Sequence, residues 1–133
     1  MLNKFLTLVV FSLVSTTAFG SNCQVLSSKD RVLYAGYTIN YSKAVQSLLE
    51  SHGFEKVAQT SAPYEIIVTA KQRSGRRFKF AKSTLQLSKK GEVLYSLAVE
   101  RRCLMVNCAV SDMAKSLQKL FRRVKDFPSC PNL

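Results

Sequence analysis

Tyr64-Glu-Ile-Ile-Val-Thr-Ala-Lys71, Phe78-Lys-Phe-Ala-Lys-Ser-Thr-Leu-Gln-Leu-Ser88 and Val93-Leu-Tyr-Ser-Leu-Ala-Val-Glu100 follow one another with only short breaks. Each run is rich in residues that suit a pleated strand, and two turn signals separate them: Arg73-Ser-Gly-Arg76 and Lys89-Lys-Gly-Glu92. The third run alternates. Val93, Tyr95, Leu97 and Val99 fall on one side, and Ser96 and Glu100 on the other, as in a half-buried antiparallel strand. A three-strand meander is therefore the centre of the fold.

Working outward, Arg31 to Tyr37 reads as an earlier strand. Asn40 and Ser42 are both suited to cap a helix that follows. Tyr41, Ala44, Val45, Leu48 and Leu49 then form the stripe of an amphipathic helix over 41–52. Gly53 stands where a left-handed cap residue is wanted, with Phe54 beyond it to pack back. Pro63 lacks a backbone donor, so the meander begins after it. A second helix is expected over 111–125, with Ser111 or Asp112 at its start and Met113, Ala114, Leu117, Leu120, Phe121 and Val124 as its apolar stripe. Residues 21–29 show no regular pattern. The order is β-α-β-β-β-α. Two amphipathic helices need one apolar sheet face, which gives an α+β two-layer sandwich with both helices on one face of an antiparallel sheet.

The chain opens with Met-Leu-Asn-Lys4, an apolar run over 5–14 and small residues at Ala18-Phe-Gly20. This is the pattern of a secretory signal peptide over 1–20, leaving a single α+β domain over 21–133. The apolar run is shorter than the roughly 20 residues a membrane span requires. No transmembrane segment is expected in the mature chain, which would be periplasmic or secreted. Asn22 before Cys23 does not fit a lipid-attachment box. Lys and Arg number 20 against 8 Asp and Glu, a net charge of +12, or +11 once Lys4 is removed. Such a chain is drawn to anionic partners.

Cys23, Cys103, Cys108 and Cys130 all lie in the exported part, where disulfides persist. Of the three connectivities that four cysteines allow, we expect Cys103–Cys108, closing a short loop, and Cys23–Cys130, tying the ends of the domain.

No catalytic constellation is visible. The single histidine, His52, excludes a histidine-pair nuclease and suits the last turn of its helix. Asp30, Glu50, Glu55, Glu65, Glu92, Glu100, Asp112 and Asp126 are dispersed. There is no Gly-rich phosphate loop and no Gly-x-Ser-x-Gly elbow. Neither a metal nor another cofactor is expected.

The candidate site is the basic hairpin. Lys71, Arg73, Arg76, Arg77, Lys79 and Lys82 crowd twelve residues together with Phe78 and Phe80. If Leu85 and Leu87 face the core, period two turns both Phe side chains outward; the reading favoured for the two rings is a bulge near Ala81 that returns them to the core. The matching partners are an acidic envelope protein or an anionic lipid or lipopolysaccharide surface, with single-stranded nucleic acid as a further class. Lys115, Lys119 and Arg122 make a second basic face.

One further pattern concerns family. It comprises Leu48-Leu-Glu-Ser-His-Gly53-Phe54, Ala62-Pro-Tyr64-Glu-Ile-Ile-Val68, Leu85-Gln-Leu87, Lys90-Gly-Glu-Val93 and the helix bearing Leu117 and Leu120. Over 31–124 this resembles the small α/β domain of bacterial envelope proteins such as the TolB N-terminal domain and the periplasmic domain of CsgG. The resemblance implies a noncatalytic part of an envelope assembly and assigns no binding residue. The four cysteines and the high positive charge depart from it. The expectation is thus an exported binding or adaptor domain that performs no reaction. The alternative is a small secreted or periplasmic hydrolase, or an enzyme inhibitor, with a site that sequence does not display.

Overall fold

A computed structural model describes residues 22–27, 29–58 and 61–131. The expected signal peptide over 1–20 lies outside them. In chain order the elements are β1 (Gln24–Leu26), β2 (Arg31–Tyr34), β3 (Tyr37–Asn40), α1 (Ser42–Ser51), β4 (Glu55–Val57), β5 (Tyr64–Ser74), β6 (Lys79–Lys89), β7 (Glu92–Arg102) and α2 (Val110–Arg122).

The meander is β5-β6-β7, antiparallel throughout. Lys90 and Gly91 join β6 to β7 with φ values of 51° and 84°. Two consecutive positive φ angles match the twist of a tight hairpin. The sheet has five strands in the order β4-β1-β5-β6-β7, and β1 pairs in parallel with both β4 and β5. The expected antiparallel sheet is therefore mixed. Residues 21–29 were expected to be irregular, yet Gln24–Leu26 forms its second strand, with Val25 fully buried.

The expected strand over 31–37 is also revised. Ala35 and Gly36 take positive φ and turn the chain back on itself. The result is a separate two-stranded hairpin, β2-β3.

One face of the large sheet carries Ile66, Val68, Leu85, Leu87, Leu97 and Val99. These residues share a core with Val45 and Leu49 of α1 and Leu117 and Leu120 of α2. Both helices therefore cover the same face, and the molecule has two layers. The alternation expected for β7 holds for Tyr95, Leu97 and Val99 but not for Val93. Leu87 pairs with Tyr95 while Ser88 pairs with Val93, so Leu94 is an extra residue in the ladder. The bulge turns Val93 to the other face, where it is exposed.

α1 ends as its sequence demands. Gly53 has φ 80°, Phe54 N–H donates to Leu49 O and Gly53 N–H donates to Glu50 O. This is the Schellman pair of bonds, and Phe54 packs back into the core. α2 is capped at Ala109, so Ser111 and Asp112, expected at the cap, lie in its first turn, where Asp112 accepts a hydrogen bond from the Ala109 N–H at 3.0 Å. Both expected disulfides are present, Cys23–Cys130 and Cys103–Cys108. Such bonds fit an oxidising, exported compartment. Among the described residues, no helix is long and apolar enough to cross a membrane.

Candidate functional site

The face of the sheet away from the helices is open. β5 contributes Ile67, Thr69, Lys71 and Arg73 to it; β6 contributes Gln86, Thr84, Lys82 and Phe80; β7 contributes Ser96, Ala98, Glu100 and Arg102. Ala81 is fully buried and pairs in register with Gln72 and Arg101, so no bulge reverses the strand there. Phe80 accordingly stands on the open face. Phe78, in the loop before β6, is 46 % exposed.

The cations are arranged in three ways. Lys71 and Lys82 oppose each other directly on the open face, and Lys82 is flanked on its other side by Glu100. Arg73 lies over the Phe80 ring, 4.6 Å from its centroid, and reaches Glu100 with two hydrogen bonds of 2.6 and 2.9 Å. Those bonds hold the Glu100 carboxyl below its usual range, with the charges of Arg73 and Lys82 adding to the effect, and they raise Arg73 in turn. Arg76 and Arg77 sit in the exposed turn and form no ion pair among the described residues.

Lys79 is different. It shares a strand side with Ala81 and Ser83, the side covered by the helices, so it does not join the open-face cations. Its carbonyl accepts the Cys103 N–H at 2.8 Å. Arg102 was not among the expected site residues, yet its guanidinium lies 4.4 Å from the centroid of Phe78. The contact depends on the register that sets Arg102 beside Phe80, which the sequence does not display.

The turn itself admits little change. Gly75 N–H donates to Phe78 O at 2.8 Å. A Cβ on Gly75 would come within 2.9 Å of both that oxygen and the Phe80 ring. Glycine here lets the aromatic ring close over the backbone.

The second basic face is only partly free. Lys119 donates to the Glu100 carbonyl at 2.8 Å, while Lys115 and Arg122 are exposed. Between α1 and α2 lies a groove of about 1040 Å³, lined by Ile39, Tyr41, Ala44, Leu117 and Phe121 with Lys43 and Arg122 among its polar members. Burial, and then the charge of Asp30, push the Tyr41 phenol above its ordinary value, and its hydroxyl donates to Val68 O at 3.1 Å.

Several residues with catalytic potential also make structural contacts. His52 donates from Nδ1 to Leu48 O at 2.9 Å and meets Phe127 edge-on. Asp30, Glu50 and Glu55 line one groove. Within it, Asp30 is bound by Lys56 at 2.7 Å and by Ser27 at 2.8 Å, and Glu50 accepts from Gln46. Asp112 is buried opposite Arg101, whose Nε lies 3.6 Å away. Among the described residues, no group of three or more His, Cys, Asp or Glu could hold a metal ion.

No family model matches this chain, and no curated protein does. Among solved structures, the chain is similar to a Xanthomonas campestris protein described under the family model DUF330. The two share 13 % identity and a TM-score of 0.33, over 74 % of this chain and 76 % of that one. A likeness so slight carries neither fold nor function across.

Proposed function

We propose that this protein is a noncatalytic binding module of the bacterial cell envelope, exported after loss of residues 1–20, that engages an anionic partner through its basic hairpin. One observation carries the reading. Of the cations in and beside the hairpin, Arg73 is neutralised by Glu100, while Arg76 and Arg77 project from the turn without a carboxylate among the described residues. Lys71 faces Lys82 across the ladder, an unfavourable pairing of like charges. An external anion relieves that repulsion. The resemblance of residues 31–124 to envelope domains and the two disulfides support the same compartment.

The test compares wild type with Arg76→Ser/Arg77→Ser for binding to phosphatidylglycerol vesicles and to envelope extract, at low and high salt. Screening limits surface attraction to about 8 Å at physiological ionic strength, so binding should fall steeply with salt. The variant should bind more weakly while keeping its fold, because exposed substitutions usually stay within about 0.5 kcal/mol. Equal binding of the two proteins at low salt would rule out the hairpin.

A further inference from the structure

The end of the sheet that carries the cations also carries a projecting apolar loop. β7 finishes at Arg102, paired with Phe80, and the chain then enters the loop closed by Cys103–Cys108, with 5.1 Å between Cα atoms. The base of this loop is pinned. Cys103 N–H donates to Lys79 O, Cys108 N–H donates to the Gln72 side chain at 2.8 Å, and the Tyr34 hydroxyl donates to Cys108 O at 2.6 Å. Both cysteines are buried with Ala81 and Met113. The apex packs on nothing comparable. Leu104, Met105 and Val106 are 81 %, 71 % and 84 % exposed. Three adjacent aliphatic side chains would ordinarily turn toward a core, but a small covalent ring held at its base cannot fold its apex inward.

Cations surround that base. Lys79 lends it only a main-chain carbonyl and carries its charge one residue from the turn, Arg102 precedes it and lies over Phe78, and Arg76 and Arg77 occupy the neighbouring turn. Neither 71–82 nor 101–111 contains an acidic residue. An aliphatic apex inside a cationic collar matches the layering of an anionic bilayer, with phosphates at one depth and acyl chains just beneath. A stacking platform for nucleic-acid bases would need open aromatic rings. Here Arg73 and Arg102 already lie over Phe80 and Phe78, and the largest exposed apolar surface at this end is the aliphatic apex, although Phe78 itself stays 46 % exposed.

We infer that Leu104-Met105-Val106 is a membrane-surface finger that enters the acyl boundary of an anionic bilayer while Arg76, Arg77, Lys79 and Arg102 hold the headgroup phosphates. This rests on the anionic-partner reading above and names a lipid surface as the partner.

The test uses vesicles of phosphatidylglycerol and phosphatidylcholine in equal parts, with heparin as a polyanion that has no acyl phase. Leu104→Ser/Met105→Ser/Val106→Ser should bind the vesicles roughly tenfold or more weakly, since each buried aliphatic side chain contributes strongly to transfer from water. Its retention on heparin should not change. The chain has no Trp, so Leu104→Trp supplies a single Trp that can be excited apart from the tyrosines. Its emission should shift to the blue with vesicles and stay unshifted with heparin. Circular dichroism and mass measurement of the intact Cys103–Cys108 bond confirm that the variants are folded. If the triple variant binds vesicles as tightly as wild type, or the Leu104→Trp emission stays unshifted on bound vesicles, insertion is overturned and the cationic reading stands. Wild-type binding to heparin without binding to vesicles has the same meaning. Wild-type binding to neither overturns both readings.

Discussion

Arg73 crosses over Phe80 to form a two-armed ion pair with Glu100, linking β5 to β7 above the strand between them. The pair fixes one cation of the hairpin while its neighbours remain available, and it gives the open face a definite response to acid. Glu100 is held below its usual value chiefly by the Arg73 hydrogen bonds. A carboxyl lowered in the folded state adds stability at neutral pH, and that contribution is lost as pH falls through the folded value. Glu100→Gln should therefore differ from wild type at neutral pH, and the difference should vanish in acid. Urea midpoints measured against pH check this. A constant difference across the range would exclude an ionic contribution.

The same carboxylate restrains binding. Without it, Arg73 joins Arg76 and Arg77 as an unneutralised cation, so Glu100→Gln should bind phosphatidylglycerol vesicles more tightly than wild type at low salt. Co-sedimentation measures this, and unchanged or weaker binding would show that Arg73 takes no part.

Lys71 and Lys82 set stability against binding. They oppose each other on adjacent strands. An opposite-charge pair there should gain about 0.2–1 kcal/mol. Lys71→Glu is thus expected to raise the urea midpoint while lowering affinity for anionic vesicles. Both quantities rising together would contradict a role for this face in binding.

Much of this arrangement is legible in the sequence because its signals are local. The Gly53-Phe54 pair marks a helix end, Lys90-Gly91 marks a hairpin, and the cations of 71–82 are contiguous. What is not legible depends on distant partners. Gln24–Leu26 is a strand only because Glu55–Val57 and the start of β5 flank it, and no three-residue run announces that. The Leu94 bulge changes the face of Val93 without disturbing the apparent alternation. In the site, Glu100 reads as an ordinary strand carboxylate until Arg73 is placed across from it. The sequence places Leu104-Met-Val106 only within a short cysteine-closed loop, and the exposure of its apex follows from the way both cysteines are anchored.

Beneath the hairpin, Ser83 and Ser116 are both fully buried and lie 2.7 Å apart, and Ser116 donates to Ala81 O at 3.0 Å. The two hydroxyls fasten α2 to β6 at the end nearest the site. Ser116→Ala leaves the Ser83 hydroxyl and the Ala81 carbonyl without this partner. The expected cost is about 1–3 kcal/mol, the penalty for an unsatisfied buried group. Ser83→Ala/Ser116→Ala should recover part of it, because one hydroxyl is no longer stranded. Chemical denaturation of the three variants decides, and a double variant less stable than the sum of the singles would contradict the pairing.

The two disulfides should separate stability from binding. Cys23–Cys130 spans 107 residues and joins the start of β1 to the tail that places Phe127 against Phe54 and Tyr95. On the chain-entropy account, a loop of about that length contributes roughly 4.7 kcal/mol. Cys103–Cys108 spans 5 residues and should contribute only about 2 kcal/mol by the same account. Cys23→Ser/Cys130→Ser is therefore expected to lower the melting temperature more, yet at a temperature where it remains folded it should bind vesicles as wild type does. Cys103→Ser/Cys108→Ser should melt closer to wild type and bind vesicles more weakly, since the opened loop no longer holds Leu104, Met105 and Val106 away from the surface. Melting curves and vesicle co-sedimentation on the two variants measure both effects. If the short-loop variant keeps full vesicle affinity, closure of the ring has no part in presenting its apex.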